Sequence, residues 1–501
     1  MANSRSTLSI CEKLSSQQSR TETMSKPLIE LESETPSRRA WQALITVLSG
    51  TFMAIVDSTI VNVALPSIRS SIHPSAAQIE WIVSGYLLAF GLMLIPAGRL
   101  GDRYGHKPLF VTGLSLFVIS SVICGSSINA SELVTARIVQ GASAGLFGPS
   151  IQATISLLFA GKARSRAFGI LGTIIGISSA SGPVIGGLII VGFGSNVGWR
   201  LVFFVNLLIG IFAIPLAIRL IPNVKPNIKN ELDLVGLTIV TAALSFVFIF
   251  LIEGGSTNFP LWTIEVAITS LPAFGAFYLW EKRYQRRGHK ALVDGRLARS
   301  RSFSIGIGLA MIYFSSFSSI FVVISLIWQD GLHRDALASG LTVTPFAIGT
   351  LIFGSISDRF SSKLGKGTLY LGIGLLFTSI SVAEVILRLS TMHHISALYL
   401  TIPLFIGGIG NGIFIAPNQD FLLRSIERKD AGVSAALLQT SQRIGSALSV
   451  AASVTIFFNS LAHGSTYLKA GGNALIFNLI MLIIGAAITI ALPKPSVGVN
   501  H

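Results

Sequence analysis

Gly98-Arg99-Leu100-Gly101-Asp102-Arg103-Tyr104-Gly105-His106-Lys107 is a short, charged, glycine-studded stretch between two long apolar runs. Gln78 to Ala97 precedes it and Pro108 to Ile128 follows it. Each run is about the 20 residues that cross a bilayer as a helix. A tight cationic turn between two such spans faces one side of the membrane, and the positive-inside bias makes that side cytoplasmic. The turn also brings Asp102 within reach of Arg103 and Lys107, a charge cluster able to lock or release neighbouring helix ends. Gly98, Gly101, Asp102, Arg103, Gly105 and Lys107 are therefore candidate gating residues.

The same pattern extends over the chain. Of its 501 residues, 51% are hydrophobic and 12% charged, and the mean hydropathy is +0.70. Soluble domains carry about 25% charged residues. The apolar excess falls into repeated helix-length runs, not the short alternating segments of a β-barrel. The reading is an all-α polytopic membrane protein with about fourteen spans, flanked by polar tails at 1–40 and 494–501. Residues 1–40 lack the apolar core of a signal peptide and have the composition of a disordered cytoplasmic tail.

The net charge of +15 does not point to nucleic acid. The cations cluster in alternate loops: Arg103 and Lys107; Lys162, Arg164 and Arg166; Arg219, Lys225 and Lys229; Lys282 to Arg301; Arg359, Lys363 and Lys366; Arg424, Arg428 and Lys429. The other loops hold little beyond Arg69, Arg334, Arg388 and Lys469. An even number of spans with both termini in the cytoplasm fits this alternation, in a cytoplasmic (inner) membrane. Cys11 and Cys124 are too few for a disulfide framework.

An internal repeat divides the spans. Gly354-Ser355-Ile356-Ser357-Asp358-Arg359-Phe360 echoes Gly98 to Tyr104, which adds Asp358 and Arg359 to the gating candidates. Ala431-Gly432-Val433 echoes Ala167-Phe168-Gly169 at a similar offset. The expected plan is a six-helix bundle over 41–222 and a second over 302–493. Two inserted helices and a basic loop lie between them, over 223–301. Repeated halves with a central site are a recurrent transporter architecture.

Ionisable groups inside apolar spans are the next signal. Asp57 and Arg137 sit in the first and fourth spans, where charge is expensive and must face a cavity, a partner or a proton. Asp57 is a proton-coupling candidate on that ground, and both residues have a plainer reading as fixed hydrogen-bonding anchors. Gly172 and Gly176, and Gly182 and Gly186, recur at the four-residue spacing that lets helices approach closely. Pro183 removes a backbone hydrogen bond from the fifth span. Phe52, Met53, Tyr86, Gln140, Tyr313, Phe314 and Arg443 are candidate walls of a largely apolar substrate cavity, against a competing reading of the aromatics as core. Trp41, Trp81, Trp199, Trp262 and Trp280 read as interface anchors. No nucleotide-binding loop, zinc spacing or catalytic triad is present in the sequence, so no metal, no cofactor and no enzyme activity is expected.

Motifs in this order resemble those of the major facilitator superfamily, and more narrowly its fourteen-helix drug:proton antiporter branch. Gly98 to Lys107 is similar to the family's loop between helices two and three, with His106 where Arg or Lys is usual. Leu133, Arg137, Gln140 and Gly141 are similar to its fourth-helix motif, and that resemblance implies a place for Arg137 near the proton route, as the second proton-coupling candidate. Ser181-Gly182-Pro183-Val184-Ile185-Gly186-Gly187 is similar to the fifth-helix motif of antiporters, with Ser178 replacing the leading glycine. Asp57 to Pro66, and Trp199-Arg200 with Asn206, resemble the fourteen-helix branch in particular.

The resemblance implies a transporter that trades protons for amphiphilic, drug-like cargo by alternating access. Gly182, Pro183, Gly186 and Gly187 would then serve the conformational change. The expected partners are a small-molecule substrate, protons and the lipid bilayer, with a periplasmic adaptor protein as a further one. A proton-linked uptake symporter for a small metabolite, and a non-transporting membrane sensor on the same fold, are the alternatives.

Overall fold

In the computed structural model the described residues are 36–223, 233–254, 260–289, 292, 300–390, 396–423 and 431–491. Residues 1–35 with Cys11, the C-terminal tail, Lys225 and Lys229, residues 290, 291 and 293–299 of the basic loop, and Arg424, Arg428 and Lys429 lie outside them, while residues 38–40, expected in the N-terminal tail, already belong to the first helix. Among the described residues there are sixteen α-helices and no strand. The first half holds α1 (Arg38–Ile72), α2 (Ala76–Tyr104), α3 (His106–Ser126), α4 (Ala130–Leu158), α5 (Gly161–Phe193) and α6 (Ser195–Leu220). The inserted pair is α7 (Leu234–Ile249, extended by a π-helical turn, Phe250–Gly254) and α8 (Leu261–Arg286). The second half holds α9 (Arg301–Ser315), α10 (Ile320–Leu326, extended by a π-helical turn, Ile327–Gly331) and α11 (Ala336–Ser355). It continues through α12 (Ser357–Leu364), α13 (Gly367–Leu389), α14 (Ala397–Leu423), α15 (Ala431–Ala462) and α16 (Tyr467–Ile490).

Thirteen helical stretches among the described residues are long and apolar enough to cross a membrane, α9 and α10 together counting as one. The other long helix, α4, is diluted by Arg137, Gln140 and a run of Gly, Ser and Thr. These residues are buried against α2 and α3 rather than turned to lipid. With α4 the spans match the expected fourteen, run for run.

Helix starts follow local chemistry. Ser75 and Gln78 form a capping box on α2, Ser75 N–H donating to Gln78 Oε1 (2.9 Å) and Gln78 N–H to Ser75 Oγ (3.2 Å). Asn129 caps α4 by accepting from Glu132 N–H at 2.9 Å, and Asp335 caps α11 by accepting from Ala338 N–H at 2.6 Å.

The opening stretch is tighter than a loop. α2 runs on through Gly98 to Tyr104, and one residue, Gly105 at φ 97°, turns the chain into α3. Only glycine adopts that conformation readily. At the repeat of this motif, α11 ends at Ser355 and the short α12 follows.

Packing follows the repeat. In the first half α2 packs on α4, α3 on α4 and α6, and α1 on α5. The second half repeats these pairs as α11 on α14, α13 on α14 and α16, and α9 on α15. Two long seams join the halves, α2 with α15 and α5 with α11, and each is the counterpart of the other under the repeat. Glycine sets the α5–α11 seam: a Cβ on Gly340 would stand 2.4 Å from the Pro183 carbonyl oxygen, and one on Gly187 2.6 Å from Leu337 Cα. Gly176 also faces α11, at Leu351, whereas Gly172 opens into free space. The pair expected from spacing thus works through one of its two glycines.

The ninth span is not the continuous helix expected for Phe303 to Trp328. It breaks at Ser316–Ser319, between α9 and α10. Broken backbone inside a bundle needs new partners. Ser319 N–H donates to Ser449 Oγ of α15 (3.1 Å), and Ser318 Oγ donates to Ser446 Oγ (2.9 Å). Asn478 of α16 donates to Ser319 Oγ (3.0 Å) and accepts from Ser453 Oγ (3.1 Å).

A buried charge pair and a candidate transport path

Asp57 is fully buried, at 0% exposure, and Arg137 is 1% exposed. They meet inside the first bundle, with Arg137 Nη1 donating to Asp57 Oδ2 at 2.5 Å. Asp57 Oδ1 accepts from Gln140 Nε2 (2.8 Å) and Asn206 Nδ2 (2.9 Å). Arg137 also donates from Nη1 to Gln140 Oε1 (2.7 Å) and from Nε to the Ile82 carbonyl (3.1 Å). Its guanidinium lies over the Tyr86 ring at 4.1 Å.

The network reaches α1, α2, α3, α4 and α6. Asn206 Nδ2 also donates to Ser121 Oγ (2.9 Å), and Cys124 Sγ to Gln140 Oε1 (3.4 Å). A buried ion pair is stable only when its remaining lone pairs and protons are also satisfied. Both carboxylate oxygens of Asp57 meet that condition. The plainer readings of the two residues are therefore present in this state: Asp57 is held by neighbouring helices, and Arg137 anchors a backbone carbonyl.

The cavity candidates divide between the halves. Tyr86 and Gln140 belong to the Asp57 network, Tyr86 donating to the Ala54 carbonyl at 3.0 Å. Met53 is fully buried in the core and Phe52 half-buried beside it. Arg443, half-buried on α15, lies over the Phe90 ring at 4.3 Å, in the α2–α15 seam. Tyr313 and Phe314 belong to the second half. There Tyr313 stacks on Phe414 (centroids 3.6 Å apart), Phe314 packs on Phe317 (5.3 Å), and Phe317 stacks on Phe346 (5.6 Å). Phe317, Phe346 and Phe414 were not among the sequence candidates, since no local pattern marks aromatics drawn from three different spans.

The glycine motif of α5 sits between both halves. Cβ atoms on Gly182 and Gly186 would strike Thr59 Oγ1 and Ile60 Cγ1 of α1, while Pro183 and Gly187 meet α11. In the opening stretch, Asp102 faces His106 Nε2 at 3.5 Å, and Arg103 lies over the Tyr104 ring at 5.2 Å. No ion pair joins Asp102 to Arg103 or Lys107 among the described residues; the turn at Gly105 brings His106, the first residue of α3, opposite the carboxylate instead. Gly101 packs against the His106 ring, too closely for a Cβ. Gly98 is looser: a Cβ there would stand 4.0 Å from Pro149. Arg359 lies in α12, and the Asp358 side chain is outside the described residues.

At the opposite end of the bundle the two halves are tied by charge. Arg69 at the end of α1 donates to Asp330 after α10 at 2.8 Å, and Gln329 Nε2 donates to the Val63 carbonyl at 2.9 Å. Arg69 also lies over Phe458 of α15, at 5.1 Å. The sequence signalled Arg69 only as an outlying loop cation.

Trp199 corrects its reading as an interface anchor, being fully buried. Its neighbour Arg200 covers the ring at 4.3 Å and donates to the Gly125 (3.1 Å) and Ser127 (2.6 Å) carbonyls at the end of α3. A cation is favoured at such a helix C-terminus, and the Trp199 ring lies buried beneath this one. On α13, Arg388 Nε donates to Glu384 one turn earlier.

The sequence profile of the Major Facilitator Superfamily matches residues 47–450. A probable actinorhodin transporter of Streptomyces coelicolor is 30% identical over 437 residues, 86% of this chain and 75% of that protein. The tetracenomycin C resistance and export protein of Streptomyces glaucescens is 29% identical over 422 residues, 82% of this chain and 75% of that protein. Among solved structures, that of an auto-inhibited POT family peptide transporter matches with a TM-score of 0.67 at 13% identity, covering 91% of this chain and 99% of that one. At such identity the likeness speaks to the fold alone. With two repeated six-helix bundles, two inserted helices and a match across most of its length, the chain belongs to the Major Facilitator Superfamily, an integral membrane transporter and not an enzyme.

Proposed function

We propose that the chain exports amphiphilic, drug-like compounds by alternating access, driven by protons. The export of tetracenomycin C by a relative over most of both lengths supports the direction. So does the Gly182-Pro183 motif at the crossing of α5 with α1 and α11. The basic loops support a cytoplasmic face at the Gly98 end. On that orientation, the Arg69–Asp330 tie holds the outer end closed.

The buried Asp57–Arg137 pair is the observation that carries the coupling. While Arg137 holds Asp57, α1 is tied to α4. A proton on Asp57 removes the charge that holds the guanidinium, leaving Arg137 on the Ile82 carbonyl, Gln140 and the Tyr86 face. The α1–α4 tie then loosens, and α1 is the helix that carries Arg69 at the outer gate. Each proton moved inward down a membrane potential contributes about 2.3 kcal/mol per 100 mV. Phe314 is half-buried and offers an amphiphile apolar surface in this state, whereas Tyr313, Phe317, Phe346 and Phe414 are buried behind it.

A susceptibility panel in a pump-deficient host tests the reading. Expression should raise tolerance severalfold for some amphiphilic compounds, and a protonophore should abolish the gain. Uptake of a metabolite, or no movement of any compound under any gradient, would favour the symporter or the sensor.

The gate has its own expected result. Asp330→Arg places two cations face to face and should slow transport severalfold. The exchanged pair, Arg69→Asp with Asp330→Arg, should recover most of the rate in a dye-efflux assay.

A further inference from the structure

Glu80 lies one turn into α2 and is 1% exposed. It faces two other elements, α15 and the π-helical turn that ends α7. Thr455 Oγ1 of α15 stands 3.0 Å from each Glu80 carboxyl oxygen and 3.3 Å from the Leu251 carbonyl oxygen of the π turn. A hydroxyl has one proton to give. Three acceptor oxygens therefore converge on a single donor.

The charged surroundings do not help an ionised Glu80. Its titratable neighbour is another acid, Glu253 of the same π turn, which accepts from Trp81 Nε1 at 3.2 Å. Among the described residues no cation pairs with Glu80. Asp57, equally buried, has Arg137 and two amides. A carboxylate buried without such partners takes up a proton in preference to holding its charge.

One added proton completes the hydrogen bonding. The Glu80 O–H donates to Thr455 Oγ1, and the Thr455 hydroxyl is then free to donate to the Leu251 carbonyl.

We propose that Glu80 is a second proton-binding site of the transport cycle, located in the α2–α15 seam between the halves and walled by the inserted helix α7. The inference rests on the proton-driven reading above. The site holds its proton while the seam is closed. When the seam opens at this end, the outer one on the orientation above, water reaches the carboxyl, and its proton exchanges as hydronium with the outside medium, whose acidity favours reprotonation. Reclosing requires a proton to be taken up again. The inserted pair α7–α8 thereby gains a role: its π turn supplies the Leu251 acceptor and carries Glu253 close to the site.

Infrared difference spectra of the purified full chain, near neutral pH, test the assignment without any substrate. The wild type should show the C=O stretch of a protonated carboxyl that Glu80→Gln lacks. Thr455→Val should keep that band but move it to higher frequency, since one hydrogen bond is lost. A wild-type minus Glu80→Gln spectrum containing only ionised carboxylate bands, or a band unmoved by Thr455→Val, would overturn the proposal. Transport of ethidium in proteoliposomes supplies the second arm. Glu80→Gln should lose accumulation driven by a pH gradient yet keep downhill ethidium movement. Gradient-driven accumulation equal to the wild type would overturn Glu80 as a coupling site. A wild type that ignores the gradient while retaining the infrared band would instead overturn the proton-driven reading itself.

Discussion

Arg137→Leu is expected to destabilise the protein by about 3–5 kcal/mol, the usual consequence of leaving a buried charge without its partner. Asp57 would keep Gln140 and Asn206 as donors but lose the one cation that meets it among the described residues. The site is fully buried, so the carboxylate would be left without solvent access. The double variant Asp57→Leu with Arg137→Leu removes both charges, and buried pairs replaced by apolar residues of similar volume are often near neutral in stability. It should therefore recover much of the folded yield and thermal midpoint in detergent, while remaining inactive. Asp57→Asn should fold and fail to respond to a pH gradient. Equal destabilisation of the single and double leucine variants would show that the pair is not the unit that matters.

Gly340→Leu is expected to have the second large effect, on transport as well as on stability. Its Cβ alone would lie 2.4 Å from the Pro183 carbonyl oxygen, on a backbone atom that cannot rotate away. Overpacking of this kind costs about 1–3 kcal/mol, and more where the neighbour is rigid. The α5–α11 seam is one of the two that join the halves, so spreading it should misplace every contact nearer the centre. Gly172→Leu is the matched control on α5, because nothing lies within 4 Å of its Cβ position. At equal expression, dye efflux should fall by an order of magnitude or more for Gly340→Leu, on the scale of about 1.4 kcal/mol per tenfold. It should stay near wild type for Gly172→Leu. Similar loss in both would mean that spacing, not the contact, is what these glycines supply.

The spans and their repeat were legible because apolar run length and loop charge are local signals. Asp57 and Arg137 were legible for the same reason, as charges stranded in apolar runs. That they meet each other was not, since the pairing joins residues from two spans and is closed by Gln140 and Asn206. Glu80 was overlooked because an acid near the start of a span reads as a boundary residue, and its burial depends on α15 and the π turn of α7. The break at Ser316–Ser319 is hidden from hydropathy, to which serine is nearly neutral. A signal existed in the serines of α15, with Ser446, Ser449 and Ser453 on one face, but it has meaning only beside α9 and Asn478. Trp199 shows the opposite failure: a rule for aromatics at span ends was overridden by Arg200 capping α3.

The most direct measurement is ethidium accumulation by purified protein in liposomes that are acidic inside, compared with liposomes whose gradient has been collapsed. Wild type should concentrate the dye only while the gradient lasts, and Asp57→Asn should not concentrate it at all. Accumulation that persists without a gradient, or that is the same in Asp57→Asn as in the wild type, would contradict the coupling of cargo to a proton at the buried pair.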